Sequence, residues 1–146
     1  MPIPRTNPYP MCNFLVDLEG EGVVAAFMEC SGLESETEVI EYRTGDEKVN
    51  SARKLPGLTK FSNITLKRGV IGAAGLYEWR QKVIDGQVER RNFSITLLDE
   101  SRNAVYKWDI RNAWPCRMTG PKLVAGQSGV AIEEIEICHE GYSVSK

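Results

Sequence analysis

The stretch from Lys54 to Gly69 (KLPGLTKFSNITLKRG) constrains this chain more than any other. Pro56-Gly57 is a turn signal, because proline presets φ and glycine tolerates positive φ. Ile64 and Leu66 then alternate with Thr65 and Lys67. Successive side chains of a strand point to opposite faces, so this pattern buries one face and wets the other. Gly69 ends it. Turn, short strand and stop are the punctuation of an antiparallel β fold.

The same period recurs along the chain. Asn13 to Glu19 reads as a strand with Phe14, Val16 and Leu18 on one face. Gly20-Glu21-Gly22 turns it into a second strand, Val23 to Cys30, closing a hairpin. Glu36 to Arg43 is a third. Thr44-Gly45-Asp46-Glu47-Lys48 then opens a long polar connection over 44–58, and a loop of that length is commonly contact-forming. One helix is expected from Ala73 to Asp85. Leu76, Trp79 and Val83 make its apolar stripe, Tyr77 and Ile84 widen it, and Gly86 stops it.

Phe93, Ile95 and Leu97 alternate in the next strand. Asp99 to Asn103 is a hairpin loop, Ala104 to Ile110 a strand, and Trp114-Pro115 a break. The final strand, 129–139, changes parity between Val130/Ile132 and Ile135/Ile137, which predicts a β-bulge or a switch of buried face. The sum is a single mainly β domain, a small antiparallel barrel or sandwich with one flanking α-helix.

With 146 residues, the chain suits one domain with a real core. Its formal net charge of −2 disfavours a general nucleic-acid binder, which would be strongly basic. No apolar run resembles a signal peptide or the ~20-residue span of a membrane, so synthesis and folding in the cytoplasm are expected. Four prolines lie among Met1 to Pro10. They make the arm over 1–12 extended and non-helical, to be ordered by a neighbour with Tyr9 as its aromatic anchor.

Groups able to do chemistry are scattered. Cys12, Cys30, Cys116 and Cys138 form no Cys-x-x-Cys pair and read as reduced thiols in or near the core. His139, the single histidine, adjoins Cys138, but neighbours on a strand face opposite ways. It reads as a strand-end hydrogen-bonding residue. Glu133, Glu134 and Glu136 read as a solvated or interfacial face. The glycine-rich segment Gly69 to Gly75 lacks the Walker and dinucleotide patterns. Lys67-Arg68 and Arg90-Arg91 are short basic pairs of the kind found at strand ends or subunit interfaces. The reading is of no catalytic residue, cofactor or metal. Two other classes stay open: a β-barrel module for small ligands or glycans, using Trp108 and Trp114, and a hydrolase using His139.

Several phrases, in order, carry a family resemblance. They are Asn13-Phe14, Cys30-Ser31-Gly32-Leu33, Ile40-Glu41-Tyr42-Arg43, the stretch from Lys54 to Gly69, and Trp79 on its helix. Arg90-Arg91, Ala113-Trp114-Pro115, Gly120-Pro121-Lys122-Leu123, Ala131-Ile132-Glu133 and His139-Glu140-Gly141 complete the set. Together they resemble the tail tube proteins of contractile phages and phage-like contractile injection systems. Cys116-Arg117-Met118, Gly126-Gln127-Ser128-Gly129 and the Met11-Cys12 arm depart from that pattern.

The resemblance implies a tail-tube (Hcp-like) β-barrel that forms homo-hexameric rings, stacked into a hollow inner tube. It implies sheath subunits, baseplate and terminator proteins as partners, and cargo or DNA in the lumen. The product would be part of a virion tail or an extracellular injection particle, structural and not enzymatic. It places inter-ring contacts at Tyr9, Arg43, Asp46, Glu47, Lys48, Lys54, Leu55 and Pro56, with Trp79 anchoring the helix in the core.

Overall fold

A computed structural model of the chain describes residues 7–18, 22–24, 27–70 and 75–145. The side chains of 22–24 are not described. The strands are β1 (Phe14–Leu18), β2 (Gly22–Val24), β3 (Phe27–Ser31), β4 (Ser35–Tyr42), β5 (Arg53–Phe61), β6 (Ile64–Gly69), β7 (Arg91–Leu98), β8 (Ala104–Thr119), β9 (Ile132–Cys138) and β10 (Gly141–Ser145). One helix, α1 (Gly75–Ile84), lies between β6 and β7.

The main sheet runs β2-β1-β7-β8-β9-β6-β3, with β10 also on β8, and every pairing is antiparallel. No pairing is described between its end strands β2 and β3, so the barrel is open. Strand β8 makes the fold two-layered. Its first part pairs with β7 and β10, and its last part pairs with β9. The bend falls at Asn112, whose φ of 51° is a left-handed conformation that asparagine tolerates. Asn92 Oδ1 accepts the Asn112 N–H at 3.0 Å, and Asn112 Nδ2 donates to Glu140 at 2.8 Å. These bonds hold the corner while β9 and β10 follow β8 around it.

The core lies between the layers. Val16, Leu18, Ile64, Leu66, Phe93, Ile95, Ile110, Ile135 and Ile137 meet there, each from an alternating strand position. Leu76 and Trp79 of α1 join them. Trp79 is fully buried, and its indole N–H donates to the Glu89 carbonyl at 2.7 Å. Such a bond relieves the cost of burying a polar tip. Arg91 lies over the Trp79 ring, 5.1 Å from its centroid. Trp79 thus belongs to the core. Tyr77 and Ile84 are exposed, so they do not widen the buried stripe.

The structure corrects several readings of the sequence. Gly20 and Glu21 of the expected first turn, and 73–74 of the expected helix, lie outside the described residues. The strand expected over Val23–Cys30 is divided: β2 pairs with β1 and β3 pairs with β6. Trp114-Pro115 does not break β8. Pro115 sits at a register shift against β9, and a bulge is where a strand accepts proline. The bulge expected in the last strand is therefore on its partner. Strand β9 starts only at Ile132, with Ile135 and Ile137 inward, while Val130 is exposed outside the strand. The sequence reading missed β10 altogether.

The largest correction concerns the expected 44–58 connection. Arg53 to Leu58 belong to β5, and the loop between β4 and β5 is only 43–52. Pro56-Gly57 does not turn the chain. It lies at a bulge, where the register with β4 shifts between Thr37 and Val39. A Cβ on Gly57 would stand 3.1 Å from the Glu38 carbonyl oxygen, tight against the facing strand. Glycine is favoured there for close approach.

Candidate assembly interface

Among the described residues, β4 and β5 pair only with each other. They form an arm, and every residue of β4 is exposed. Val39, Ile40, Tyr42, Leu55 and Leu58 all lie open, Leu58 at 72 % of its full exposure. A two-stranded hairpin is marginal in water, and an apolar patch of this kind marks an interaction site.

The arm's tip is pre-shaped. Arg43 Nε donates to the Val49 carbonyl at 3.1 Å, and its Nη2 to the Glu47 carbonyl at 3.2 Å. Glu47 pairs with Arg53 at 3.0 Å, and the Glu47 N–H closes a turn onto the Thr44 carbonyl. Arg43, Asp46, Glu47 and Lys48 therefore sit together at the tip. Lys54, Leu55 and Pro56 stand beside them on β5.

The arm's root is held firmly. The Ser62 N–H donates to the Glu34 carbonyl at 3.2 Å. His139 Nδ1 accepts the Gly141 N–H at 3.2 Å, so Nε2 carries the hydrogen and donates it to the Ser62 carbonyl at 2.8 Å. Phe61 packs edge-on to Tyr142, with 5.3 Å between centroids. At Gly32, whose φ is 94°, a side chain would collide with the Asn63 backbone. His139 is thus the hydrogen-bonding residue expected, but it acts on the arm as well as on its own strand. Alternation alone could not have shown that, because Ser62 is remote from it in sequence.

Tyr9 is elsewhere. It lines an apolar groove of about 590 Å³ with Pro10, Phe14, Met28, Leu33 and Trp108. The structure does not bring it to the arm within one subunit. Residues 1–6 of the expected arm lie outside the described residues. Trp108 is in this groove, edge-on to Tyr106 at 4.8 Å, whereas Trp114 lies past the bend opposite Cys138. The two tryptophans do not share one binding concavity.

Several ionisable groups are buried or paired. Arg68 is buried, bonded to Glu133 at 2.6 Å and stacked over Phe27. Arg90 pairs with Glu140, Arg91 with Glu89, and Lys67 with Glu29. Burial, reinforced by Glu29, pushes the Cys30 thiol up to about 11, which keeps it protonated at neutral pH and a poor nucleophile. Burial also raises Cys116. Among the described residues no three histidine, cysteine, aspartate or glutamate side chains gather as a metal site. No helix among them is long and apolar enough to cross a membrane.

An open β barrel with one helix, a rigidly rooted arm and apolar surface left uncovered defines a class: a subunit that completes itself in an assembly. Residues 10–143 match the T4-like virus tail tube protein gp19 family, and the chain belongs to that family.

Solved structures agree. The chain is similar to one in the sheath-tube complex of an extracellular contractile injection system, PVC, in its extended state. The identity is 30 %, the TM-score 0.85, and the match covers 96 % of this chain and 93 % of the other. It is similar to one in the tube-terminating cap of the anti-feeding prophage at 31 % identity and TM-score 0.86, covering 99 % and 95 %. Hcp1 from Flavobacterium johnsoniae shares the fold at 13 % identity and TM-score 0.56, over 90 % and 93 %. A comparison with curated protein sequences found no match.

Proposed function

We propose that this protein is the inner-tube subunit of a contractile injection system, assembled as hexameric rings stacked into a hollow tube. Sheath subunits surround that tube, baseplate and terminator proteins close its ends, and sheath contraction drives it through a target envelope with its cargo. The role is structural, with no catalytic step. Likeness to tube proteins of injection particles at about 30 % identity over nearly the full chain supports this class over a phage tail.

The observation that carries the mechanism is the arm. It is rooted by Ser62 and His139 yet exposes Val39, Ile40 and Leu58. In the tube it reaches from one ring to the next, where its tip and the strand beside Lys54-Leu55-Pro56 make the ring-to-ring contact. Covering such a patch yields roughly 25 cal/mol per Å² of apolar surface removed from water. Multiplied around a ring, that is the cohesion a driven tube requires.

The test is deletion of Gly45 to Asn50, scored by electron microscopy for tubes and by circular dichroism for the fold. The expected result is a folded subunit that forms no long tubes. Tubes of normal length would refute the assignment.

A further inference from the structure

Two cysteines stand on one face of the β8–β9 pair. Pro115 and Ile137 are partners in its register, and both are fully buried. Successive strand residues alternate sides, so Trp114, Cys116 and Cys138, which flank them, turn to the outer face. Cys138 is opposite Trp114, which sets Cys116 two residues along from it, on the diagonal. Both cysteines are free and partly exposed, open to a small reagent.

The side chains around them bring the Cys116 thiol toward Cys138. Cys116 Sγ donates to the Glu136 carbonyl at 3.4 Å, which draws it over β9. Asn63 precedes Ile64, the partner of Ile137, so it starts beside Cys138 on the far side of β9. Its amide donates to Glu136 Oε1 at 2.9 Å and to Cys116 Sγ at 3.8 Å. One short side chain thus spans from the Cys138 position to the Cys116 sulfur. Burial first, then the charges of Glu136 and Cys138, push the Cys116 thiol up, against a backbone hydrogen bond and the charge of Arg80. The two sulfurs are near enough to act on each other.

Diagonal partners in an antiparallel pair have Cα atoms about 7–8 Å apart. An unstrained disulfide spans roughly 4.4–6.8 Å. A bridge here has to draw the strands together. The register shift between Pro115 and Arg117 is the place that can give, because a bulge already disrupts the ladder. Such a bridge closes under strain, and strained disulfides are the readily reduced ones.

We propose that Cys116 and Cys138 are a reversible redox pair, which closes a cross-strand disulfide by exchange with a low-molecular-weight disulfide such as oxidised glutathione. One protein thiolate attacks a sulfur of that disulfide and expels one glutathione thiolate. The second protein thiolate attacks the protein-bound sulfur and expels the other. Two protein thiols are oxidised, one glutathione disulfide is reduced, and the two protons go to the departing glutathiones. The pair is a dithiol in a reducing cytoplasm and a bridge in an oxidising medium. It is complete within one subunit, so the inference does not depend on the tube.

The test equilibrates the folded full-length wild-type protein with glutathione disulfide, blocks the remaining thiols by alkylation, and digests it without reduction. Trypsin cuts after Arg117 and Lys122, so a bridge joins two separate peptides that mass spectrometry identifies. The expected result is that linked pair as the predominant disulfide, lost again in a mixture dominated by reduced glutathione. Cys116→Ser and Cys138→Ser should each abolish it, leaving at most a glutathione adduct on the remaining thiol. Absence of the linked pair from the wild-type protein, or its formation only after unfolding in urea, would overturn the proposal. So would a predominant bridge through Cys12 or Cys30. A Cys116–Cys138 bridge that persists in the reduced mixture would be a structural disulfide, and would overturn the reversible pair as well.

Discussion

Strands β5 and β6 are neighbours in the chain, separated by Ser62-Asn63, and they have opposite fates. Strand β6 alternates strictly, with Ile64, Leu66 and Arg68 buried and Thr65, Lys67 and Gly69 only partly so. Strand β5 carries Leu55, Pro56 and Leu58, yet all its residues except Gly57 and Phe61 are exposed. Both obey the geometry of a strand. They differ in what lies opposite. Strand β6 has β9 and β3 beside it and the second layer across from it, whereas β5 has only β4. The chain's own layers cover one face of β6, and the arm's apolar side chains stay exposed.

Three substitutions separate body from arm. Trp79→Ala should have the largest effect on the isolated subunit. Emptying a fully buried aromatic site costs about 3–5 kcal/mol. Urea denaturation should show that loss, and a much smaller one would mean that α1 is not part of the core. Glu133→Ala comes next. It strips its carboxylate from buried Arg68, at about 3 kcal/mol, with stacking over Phe27 remaining as compensation. Leu58→Asp should leave subunit stability within about 0.5 kcal/mol, because the residue touches little in its own chain. The same change should abolish tubes seen by electron microscopy. If it unfolds the free subunit, the arm belongs to the body and the contrast collapses.

The body was legible in the sequence and the arm only half so. Alternation at Phe14/Val16/Leu18, Ile64/Leu66 and Phe93/Ile95/Leu97 marks strands whose one face is buried, and those strands are present. The resemblance places the expected contact residues near Arg43 to Pro56. Their strand character was missed because a bulge puts Pro-Gly inside β5, where the same dipeptide usually turns the chain. Strand β8 was cut short for the same kind of reason, at Pro115. The rooting of the arm by His139 on Ser62 was invisible, since that bond joins residues far apart in the chain. Which residues line up across β1, β7, β8 and β10 depends on register, which a single strand's pattern does not carry.

The smallest expected effect is on pH dependence. The Asn112 hydrogen bond above all, then Arg90 and the charge of Arg111, hold Glu140 below its ordinary 4.5, while desolvation, second in size only to the Asn112 bond, opposes them. A lowered folded value means that the unfolded chain takes up its proton first as acid is added. The contribution is therefore present above that ordinary value and lost as pH falls through the folded one. Glu140→Gln should flatten that part of the stability–pH curve slightly, measured by thermal melts. An unchanged slope would show that the corner at Asn112 does not depend on this carboxylate.

Cryo-electron microscopy of tubes assembled from the purified wild-type chain tests the central claim most directly. The account predicts stacked rings in which each arm crosses to the adjacent ring and Val39, Ile40 and Leu58 are buried against its body. Monomers only, or tubes whose arms stay within one ring with those residues open to solvent, would contradict it.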